Sequence, residues 1–302
     1  MANLKEVRGR IQSTISTQQI TSVMKMVSVS KLRKAQDAIL RMRLYAGKLK
    51  EIMNNVISSS EISVGDDFTK VREGKNILFV VITSNRGLCG AFNTNLIRFA
   101  LHSINKKYSK QKQNGNLQII CIGKKGHDFF RKNGYKIFSS HNQVFSNLNY
   151  ESASEIAKII MKEFLAKKID CVELFYNQFK NAASQILTNE QFLPVVSSPG
   201  QQEKTASVKA SVEKNHNNYI YDPNQGKIIK GLIPRTLKIQ LYKSLLDSHA
   251  SEHGARMTAM HKATDNASEI LRELRLSYNK TRQAIITKEI LEIVGGAEAL
   301  KN

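Results

Sequence analysis

The sequence predicts an α/β domain inserted between two long terminal helices that pair with each other as an antiparallel coiled coil. Three observations lead to this fold class. Residues 1–57 contain no proline and carry apolar side chains at helical spacing. Residues 232–302 show the same texture, with Pro234 as their one proline. Between the two, short apolar runs alternate with helical stretches, which is typical of a largely parallel sheet.

The N-terminal segment, residues 1–57, is predicted to be a single helix. Its apolar residues recur in steps of three and four, which places them on one face. At 1.5 Å per residue the helix would be roughly 85 Å long. The predicted stripe consists of Leu4, Val7, Ile11, Ile15, Val23, Val27, Ile39, Met42, Ala46, Leu49, Met53 and Val56.

The C-terminal segment, residues 232–302, is predicted to be a helix of about 65 residues after Pro234, on the order of 100 Å long. Since neither terminal helix can bury its stripe alone, we expect them to pair. The inserted domain supplies a long connection, which makes the pair antiparallel, and the imperfect spacing indicates an irregular twist. The stripe consists of Leu237, Leu241, Leu245, Met257, Met260, Ala263, Ala267, Ile270, Leu274, Tyr278, Ile285, Ile290 and Val294.

The middle of the chain divides by composition into a turn-rich connector (58–75), an α/β domain (76–199) and a polar linker or surface segment (200–231). Continuous apolar runs predict strands buried on both faces. The alternation of strands and helices predicts a Rossmann-like domain. The predicted strands are 76–83, 117–122, 171–176 and an edge strand near 186–196, and the predicted helices are 91–108, 124–133 and 151–168.

The bulk composition indicates a globular chain whose positive charge implies either an acidic partner or solvated helix faces. The formal net charge is +21, which suits a nucleic acid, an anionic membrane surface or an acidic protein cavity. The cysteines at 89, 121 and 171 are isolated, so we expect neither a disulfide framework nor a zinc site. No targeting segment and no run of about 20 apolar residues is visible, so any membrane association is expected to be peripheral.

The segment Ser84–Ala91 follows a strand and opens a helix, where a Rossmann domain places its phosphate loop. Neither G-x-G-x-x-G nor G-x-x-x-x-G-K-[ST] is satisfied, so we interpret its glycines as serving a tight turn. Cys89 lies in this turn, but no histidine or acid stands near it in sequence to activate a thiolate.

Two further patterns are weighed against structural explanations. His249 and His253 have the i, i+4 spacing of metal ligands but lack H-E-x-x-H and an obvious third ligand, so we expect surface histidines. A basic run on the first helix could bind nucleic acid but lacks stacking aromatics. We therefore predict no catalytic, cofactor-binding or metal site. The basic run consists of Lys31, Arg33, Lys34, Arg41 and Arg43.

Six segments carry a family resemblance that covers essentially the whole chain. They resemble the signatures of the gamma subunit of F-type ATP synthase, and the C-terminal ones are highly specific. The segments are Met24–Gln36, Arg86–Gly90, Ser251–Met260, Ala263–Ala267, Tyr278–Ile290 and Glu292–Ala297.

The resemblance implies a rotor without an active site of its own. In the family, the paired helices thread a ring of alpha and beta subunits, and the α/β domain lies beside the epsilon subunit and the membrane ring of c subunits. Rotation drives the beta subunits through their nucleotide-binding states, and the apolar C-terminal tip turns in an apolar sleeve. The resemblance implies no cofactor and no nucleic-acid partner. It nominates Met24, Arg256, Gln283, Thr287 and Glu289 for contacts with the beta subunits.

The chain departs from the family pattern at His253, Gly254 and His261, and Gly254 is expected to soften the helix locally. The regulatory cysteine insertion of the chloroplast form is absent, so thiol control is not expected. The missing presequence favours the cytoplasmic side of a bacterial inner membrane over the matrix side of a mitochondrial inner membrane. Two alternatives stay open: a Rossmann-like nucleotide-binding enzyme and a basic coiled-coil protein that binds nucleic acid.

Overall fold

The computed structural model describes residues 4–58, 67–72, 74–195 and 225–299. Most of the predicted polar linker and half of the predicted connector lie outside these ranges. The chain forms two compact units. One, the two-helix unit, combines Met1–Ser30 with Arg256–Asn302, and the other, the α/β unit, is Lys31–Ala255.

Six helices and five strands make up the described chain, and the two longest helices lie at its ends. The terminal helix α1 has 55 residues and α6 has 75. The order is α1 (Leu4–Ser58), β1 (Ile77–Ile82), α2 (Phe92–Lys107), α3 (Ser109–Gln113), β2 (Leu117–Ile122), α4 (Lys124–Lys132), β3 (Ile137–Ser140), α5 (Tyr150–Leu165), β4 (Cys171–Phe179), β5 (Gln185–Leu193) and α6 (Gln225–Ala299).

The five strands form one mixed sheet in the order β3-β2-β1-β4-β5. Strands β1 to β4 pair in parallel, and β5 pairs antiparallel to β4 along an edge. The chain leaves β1 toward β2 and β3 and then returns to the other side of β1 as β4. The carboxyl ends of β1 and β4 therefore form the crevice where open α/β sheets usually bind ligands.

Both faces of the sheet are buried, which explains why β1 is an unbroken apolar run. Its even-numbered residues, such as Val80, face a core shared with α5, with residues 233–245 of α6 and with Met53 of α1. Its odd-numbered residues, such as Phe79, face a second core formed with α2 and Phe130 of α4. The expected α/β domain inserted between terminal helices is confirmed.

In the two-helix unit, α1 and α6 run antiparallel. Arg8 donates to the hydroxyl of Tyr278 (3.3 Å), and Gln18 donates to the hydroxyl of Ser268 (2.7 Å). Thr264 donates to the hydroxyl of Thr21 (2.9 Å). As the residue number along α1 rises from 8 to 21, the number of its partner on α6 falls from 278 to 264, as expected for antiparallel helices.

The seam of this coiled coil follows a regular spacing of three and four residues, but it is more polar than the predicted stripe. Val23 and Val27 are 59% and 50% exposed, and Ile270 is 49% exposed, so their predicted place in the stripe is wrong. The seam instead passes through polar residues such as Thr21 and Ser28. On α1 it follows 4, 7, 11, 14, 18, 21, 25 and 28, and on α6 it follows 257, 260, 264, 267, 271, 274, 278 and 281.

Helix α6 begins at Gln225, seven residues before the boundary expected from the sequence, and contains Pro234. Because proline lacks an amide hydrogen, it removes one backbone hydrogen bond from the helix. The helix nevertheless continues, and the flanking residues Ile233 and Leu237 are buried in the sheet core. Packing against the sheet thus supports the helix through this position.

Candidate functional site

The C-terminal end of α6 is exposed and apolar. The register of the pair places position 282 of α6 opposite the first residues of α1, whose described helix begins at Leu4. Every residue from 282 to 297 is exposed. The large apolar side chains of this stretch, here called the α6 tip, are Ile285, Ile286, Ile290, Leu291, Ile293 and Val294. Exposed apolar clusters of this kind commonly mark contact surfaces for other proteins.

Two of the residues nominated for subunit contacts, Met24 and Arg256, lie in the paired part of the two-helix unit. Met24 is half-buried, and its carbonyl oxygen accepts a hydrogen bond from the Ser28 hydroxyl (2.7 Å). Arg256 is 7% exposed. The register of the helix pair places Arg256 opposite position 29 or 30 of α1. That position is about five residues, or about 8 Å along the helix axis, from Met24.

The other three nominated residues, Gln283, Thr287 and Glu289, are exposed on the last turns of α6. Thr287 donates its hydroxyl hydrogen to the carbonyl oxygen of Gln283 (2.9 Å), so these two residues share one face. Glu289 is two positions beyond Thr287 and therefore points to a different side. About 40 Å of helix separates Arg256 from Gln283. The structure thus places the five residues in two groups along the two-helix unit.

The turn after β1, where a phosphate loop would lie, is held together by its own side chains. Asn93 of α2 accepts a hydrogen bond from the Ser84 amide (2.9 Å), and its side-chain amide donates to the Ser84 hydroxyl (2.7 Å). The same amide lies 3.3 Å from the Cys89 sulfur. At the next strand end, the Gly126 amide donates to the Thr83 hydroxyl (2.9 Å). These bonds support the structural interpretation of the turn.

The crevice between the carboxyl ends of β1 and β4 is occupied by α6. The Ser248 hydroxyl donates to the last carbonyl oxygen of β1, that of Ile82 (3.4 Å). The carboxylate of Asp247 accepts the amide hydrogen of Phe179, the last residue of β4. A dinucleotide-binding domain leaves this crevice open for its ligand. The geometry therefore weighs against the nucleotide-binding alternative.

His253 is buried in the α/β unit and His249 is half-buried, so the prediction of surface histidines is wrong. Their Nε2 atoms are 3.2 Å apart, and His253 is 6% exposed. The His249 ring stacks on Phe145 (centroids 5.9 Å apart, planes at 8°). The two rings are shielded from solvent to different degrees because this part of α6 packs against the sheet and its loops. The polar residue types on this face of α6 suggest solvent exposure, whereas the structure turns the face toward the domain.

No group of three or more metal-ligating side chains occurs in the described part of the chain. Burial raises the pKa of the Cys121 thiol to about 12 and that of Cys171 to about 11, which keeps both thiols protonated at neutral pH.

A cleft of about 550 Å³ lies between the segment that follows β3 and helix α5. Its polar and apolar lining includes His141, Asn142 and Glu155. Burial lowers the pKa of His141.

None of the helices, as far as their residues are described, combines the length and the apolar character that crossing a membrane requires.

Sequence reasoning missed the residues that join α6 to the sheet, namely Asp247, Ser248 and Ser251. All three are 0–1% exposed. The signal available was their helical spacing beside the apolar stripe residues Leu241 and Leu245. Because all three are polar residue types, the sequence did not indicate that they are buried.

Solved structures with the same fold come from ATP synthases. A chain of the Euglena gracilis mitochondrial ATP synthase (OSCP/F1/c-ring, rotational state 3) matches with a TM-score of 0.69 at 22% identity, covering 98% of this chain and 94% of that one. A chain of the Tetrahymena thermophila enzyme (central stalk/c-ring) matches with a TM-score of 0.58 at 24% identity, covering 81% and 99%. At these identities the likeness establishes the fold alone.

Sequence comparisons establish the family. A family model described as ATP synthase matches residues 3–300. The ATP synthase gamma chain of Flavobacterium johnsoniae is 52% identical over 300 residues, covering 99% of both chains. That of Cytophaga hutchinsonii is 49% identical over 302 residues, covering both chains completely. The chain therefore belongs to the ATP synthase gamma chain family.

Proposed function

We propose that this chain is the central rotor shaft of a proton-translocating ATP synthase. Its family membership makes it a non-catalytic subunit of that membrane-associated complex. The proposed role is to couple proton flow through the ring of c subunits to conformational cycling of the beta subunits. Its proposed partners are the alpha and beta subunits, the epsilon subunit and the c ring. The bacterial relatives favour the cytoplasmic side of an inner membrane.

The observation that carries this proposal is the unequal helix pair with its exposed tip. Two helices cannot have threefold symmetry, so each face of the unit presents different side chains to three identical partners. A partner whose conformations bind these faces with different affinity is shifted among its states as the unit turns. The α6 tip offers apolar side chains with few directional bonds, which suits a bearing surface.

Subunit contacts are proposed for Met24, Arg256, Gln283, Thr287 and Glu289. The guanidinium of Arg256 suits a carboxylate, bidentately where the geometry allows. Gln283, Thr287 and Glu289 are exposed in the chain alone, so their side chains are accessible to a surrounding ring.

Reconstitution with alpha and beta subunits tests the proposal. The full chain is expected to assemble with them and to rotate during ATP hydrolysis. Removing residues 1–15 and 280–302 should impair coupled rotation and ATPase activity. The matched control is Lys158→Ala on the exposed face of α5, which should behave as wild type. Unchanged rotation after the truncation would contradict the proposal. Salt-sensitive DNA binding without affinity for the ring would favour the nucleic-acid alternative.

A further inference from the structure

Three elements meet at the end of β4 through a shared set of polar contacts. Arg43 of α1 donates hydrogen bonds to the carbonyl oxygen of Phe179 and to the carboxylate of Asp247 on α6. The Phe179 amide donates to the same carboxylate oxygen, Oδ1 (3.4 Å). One carboxylate therefore connects the two long helices and the sheet.

The contact continues along two turns of α6. The Ser251 hydroxyl donates to the carbonyl oxygen of Asn177 on β4 (3.0 Å). At Gly254, a Cβ atom would lie 2.9 Å from the carbonyl oxygen of Ala182, in the turn between β4 and β5. Positions 247, 251 and 254 are spaced by four and three residues and share one helix face. The end of β4 and the turn that follows it thus lie directly against α6.

The carboxylate of this ion pair is buried, whereas the Arg43 side chain is 33% exposed. An ion pair with a buried partner is weak evidence for stability. Asp247 is 0% exposed. Its Oδ2 atom and the Nε atom of Arg43 have no hydrogen-bonding partner among the residues that the structure describes. Replacing a buried ion pair by apolar side chains is often neutral or stabilising, because desolvation offsets the attraction between the charges. What such a pair does supply is direction, since its hydrogen bonds depend on geometry.

We propose that Arg43, Asp247 and Ser251, with the turn between β4 and β5, form a joint that transmits torque between the sheet and the two long helices. This inference rests on the proposed rotor function. Apolar contacts are non-directional, so they resist turning of the sheet about α6 less than oriented hydrogen bonds do. Arg43 and Asp247 act as positioning residues, and both helices continue in sequence from them into the two-helix unit.

The experiment measures torsional stiffness in the assembled alpha–beta–gamma complex. The ring is immobilised, and a bead is attached through an Asn105→Cys substitution on the exposed face of α2. The test variant is R43M/D247L, which removes the directional bonds and keeps apolar volume at the site. The matched control is K48M/E51L, which removes an exposed ion pair within α1.

The angular variance of the bead during catalytic pauses is expected to rise at least about twofold in R43M/D247L, while ATP hydrolysis stays within about twofold of wild type. The control should match wild type in both. A variant that only weakened folding would lower the yield of complex without widening the variance. Equal variance in test and control complexes would overturn the joint.

If R43M/D247L does not assemble, the Ser251→Ala complex provides the test. This variant removes only the hydrogen bond to Asn177, so the angular variance of the bead should rise by a smaller factor. Unchanged variance in that complex would overturn the joint. A wild-type bead that does not rotate with ATP would instead refute the rotor function, so the two failures are distinguishable.

Discussion

At the scale of single residues, Asp247 shows how burial and a charged neighbour compete. Burial raises the pKa of its carboxyl group, while the Arg43 guanidinium, the Phe179 amide and the charge of Lys243 oppose that shift. The pKa in the folded chain stays above the ordinary value of 3.8. Desolvation is therefore the larger of the two effects.

This shift has a pH signature. Between 3.8 and the raised pKa, the folded chain binds more protons than the unfolded chain, so rising pH lowers the free energy of unfolding. We expect the difference between wild type and Asp247→Asn to fall with rising pH in that window, by at most about 1.4 kcal/mol per pH unit. Urea unfolding at several pH values measures the slope, and a flat difference curve would contradict the assignment.

Gly254 provides the second residue-scale prediction. Since an added Cβ would lie 2.9 Å from a backbone oxygen and 3.4 Å from the Cα atom of Ala182, Gly254→Ala should destabilise the chain by about 1–3 kcal/mol. Gly47→Ala is the matched control, because Gly47 is helical and has nothing within 4 Å of the added atom. That change should stabilise the chain by about 0.5–1 kcal/mol. Equal effects of the two substitutions on the unfolding midpoint would show that the contact with Ala182 is unimportant.

Gly254 also shows what the sequence alone could not provide. Its place in the C-terminal signature was visible, and it suggested local softening of the helix. The contact with Ala182 joins residues 72 positions apart, so local sequence carried no signal for it. The five nominated subunit contacts came from family resemblance, and their side-chain environments likewise became visible only in the structure.

At the scale of elements, the spacing of residues predicted the coiled coil correctly, whereas their apolar or polar type did not identify which of them lie in the seam. The spacing of threes and fours predicted a helix pair, and this was confirmed. Choosing apolar residues for the stripe placed Val23 and Val27 in the seam, whereas the structure buries Thr21 and Ser28. Small hydroxyl residues fit a seam because their hydroxyls donate to carbonyls of their own helix, as Ser28 does to Met24.

The seam pair Thr21 and Thr264 tests this explanation. Thr264 donates to Thr21, and each hydroxyl is also within hydrogen-bonding distance of a carbonyl oxygen of its own helix. Replacing both by valine keeps the shape and gives an apolar layer, so T21V/T264V should stabilise the two-helix unit by about 1 kcal/mol. Hydrogen exchange of amides 14–28 measures this.

The control for the seam prediction is Thr17→Val, at an exposed position where the hydroxyl donates to Ser13. Its effect should stay within about 0.5 kcal/mol. Faster exchange in T21V/T264V than in the control would mean that the hydroxyl pair stabilises the seam.

Short elements were the ones that the sequence did not predict. Strand β3 has four residues and alternates between half-buried and exposed positions, and α3 has five residues, none of them buried. Neither is long or apolar enough to produce a periodic signal. Strands β1, β2 and β4 were predicted because they are buried on both faces and therefore read as continuous apolar runs.

At the scale of the whole molecule, the α/β unit depends on the terminal helices for its core. One face of the sheet is covered by α5 together with four α6 side chains, Ile233, Leu237, Leu241 and Leu245, each at most 2% exposed. The sequence suggested an inserted domain bounded by 76 and 199. The core crosses those bounds, because a sheet buried on both faces needs a helix layer on each.

This dependence predicts how fragments behave. A fragment of residues 31–255 retains both core clusters and should unfold cooperatively on its own. A fragment of residues 67–195 lacks the four α6 side chains, whose burial contributes about 1.5–3 kcal/mol each, or about 6–12 kcal/mol together. That sum is comparable to the about 5–15 kcal/mol that stabilises a whole domain, so the shorter fragment should not fold. Urea unfolding followed by circular dichroism distinguishes the two. A cooperative transition of the shorter fragment at the midpoint of the longer one would show that the sheet is an independent domain and that α6 only rests against it.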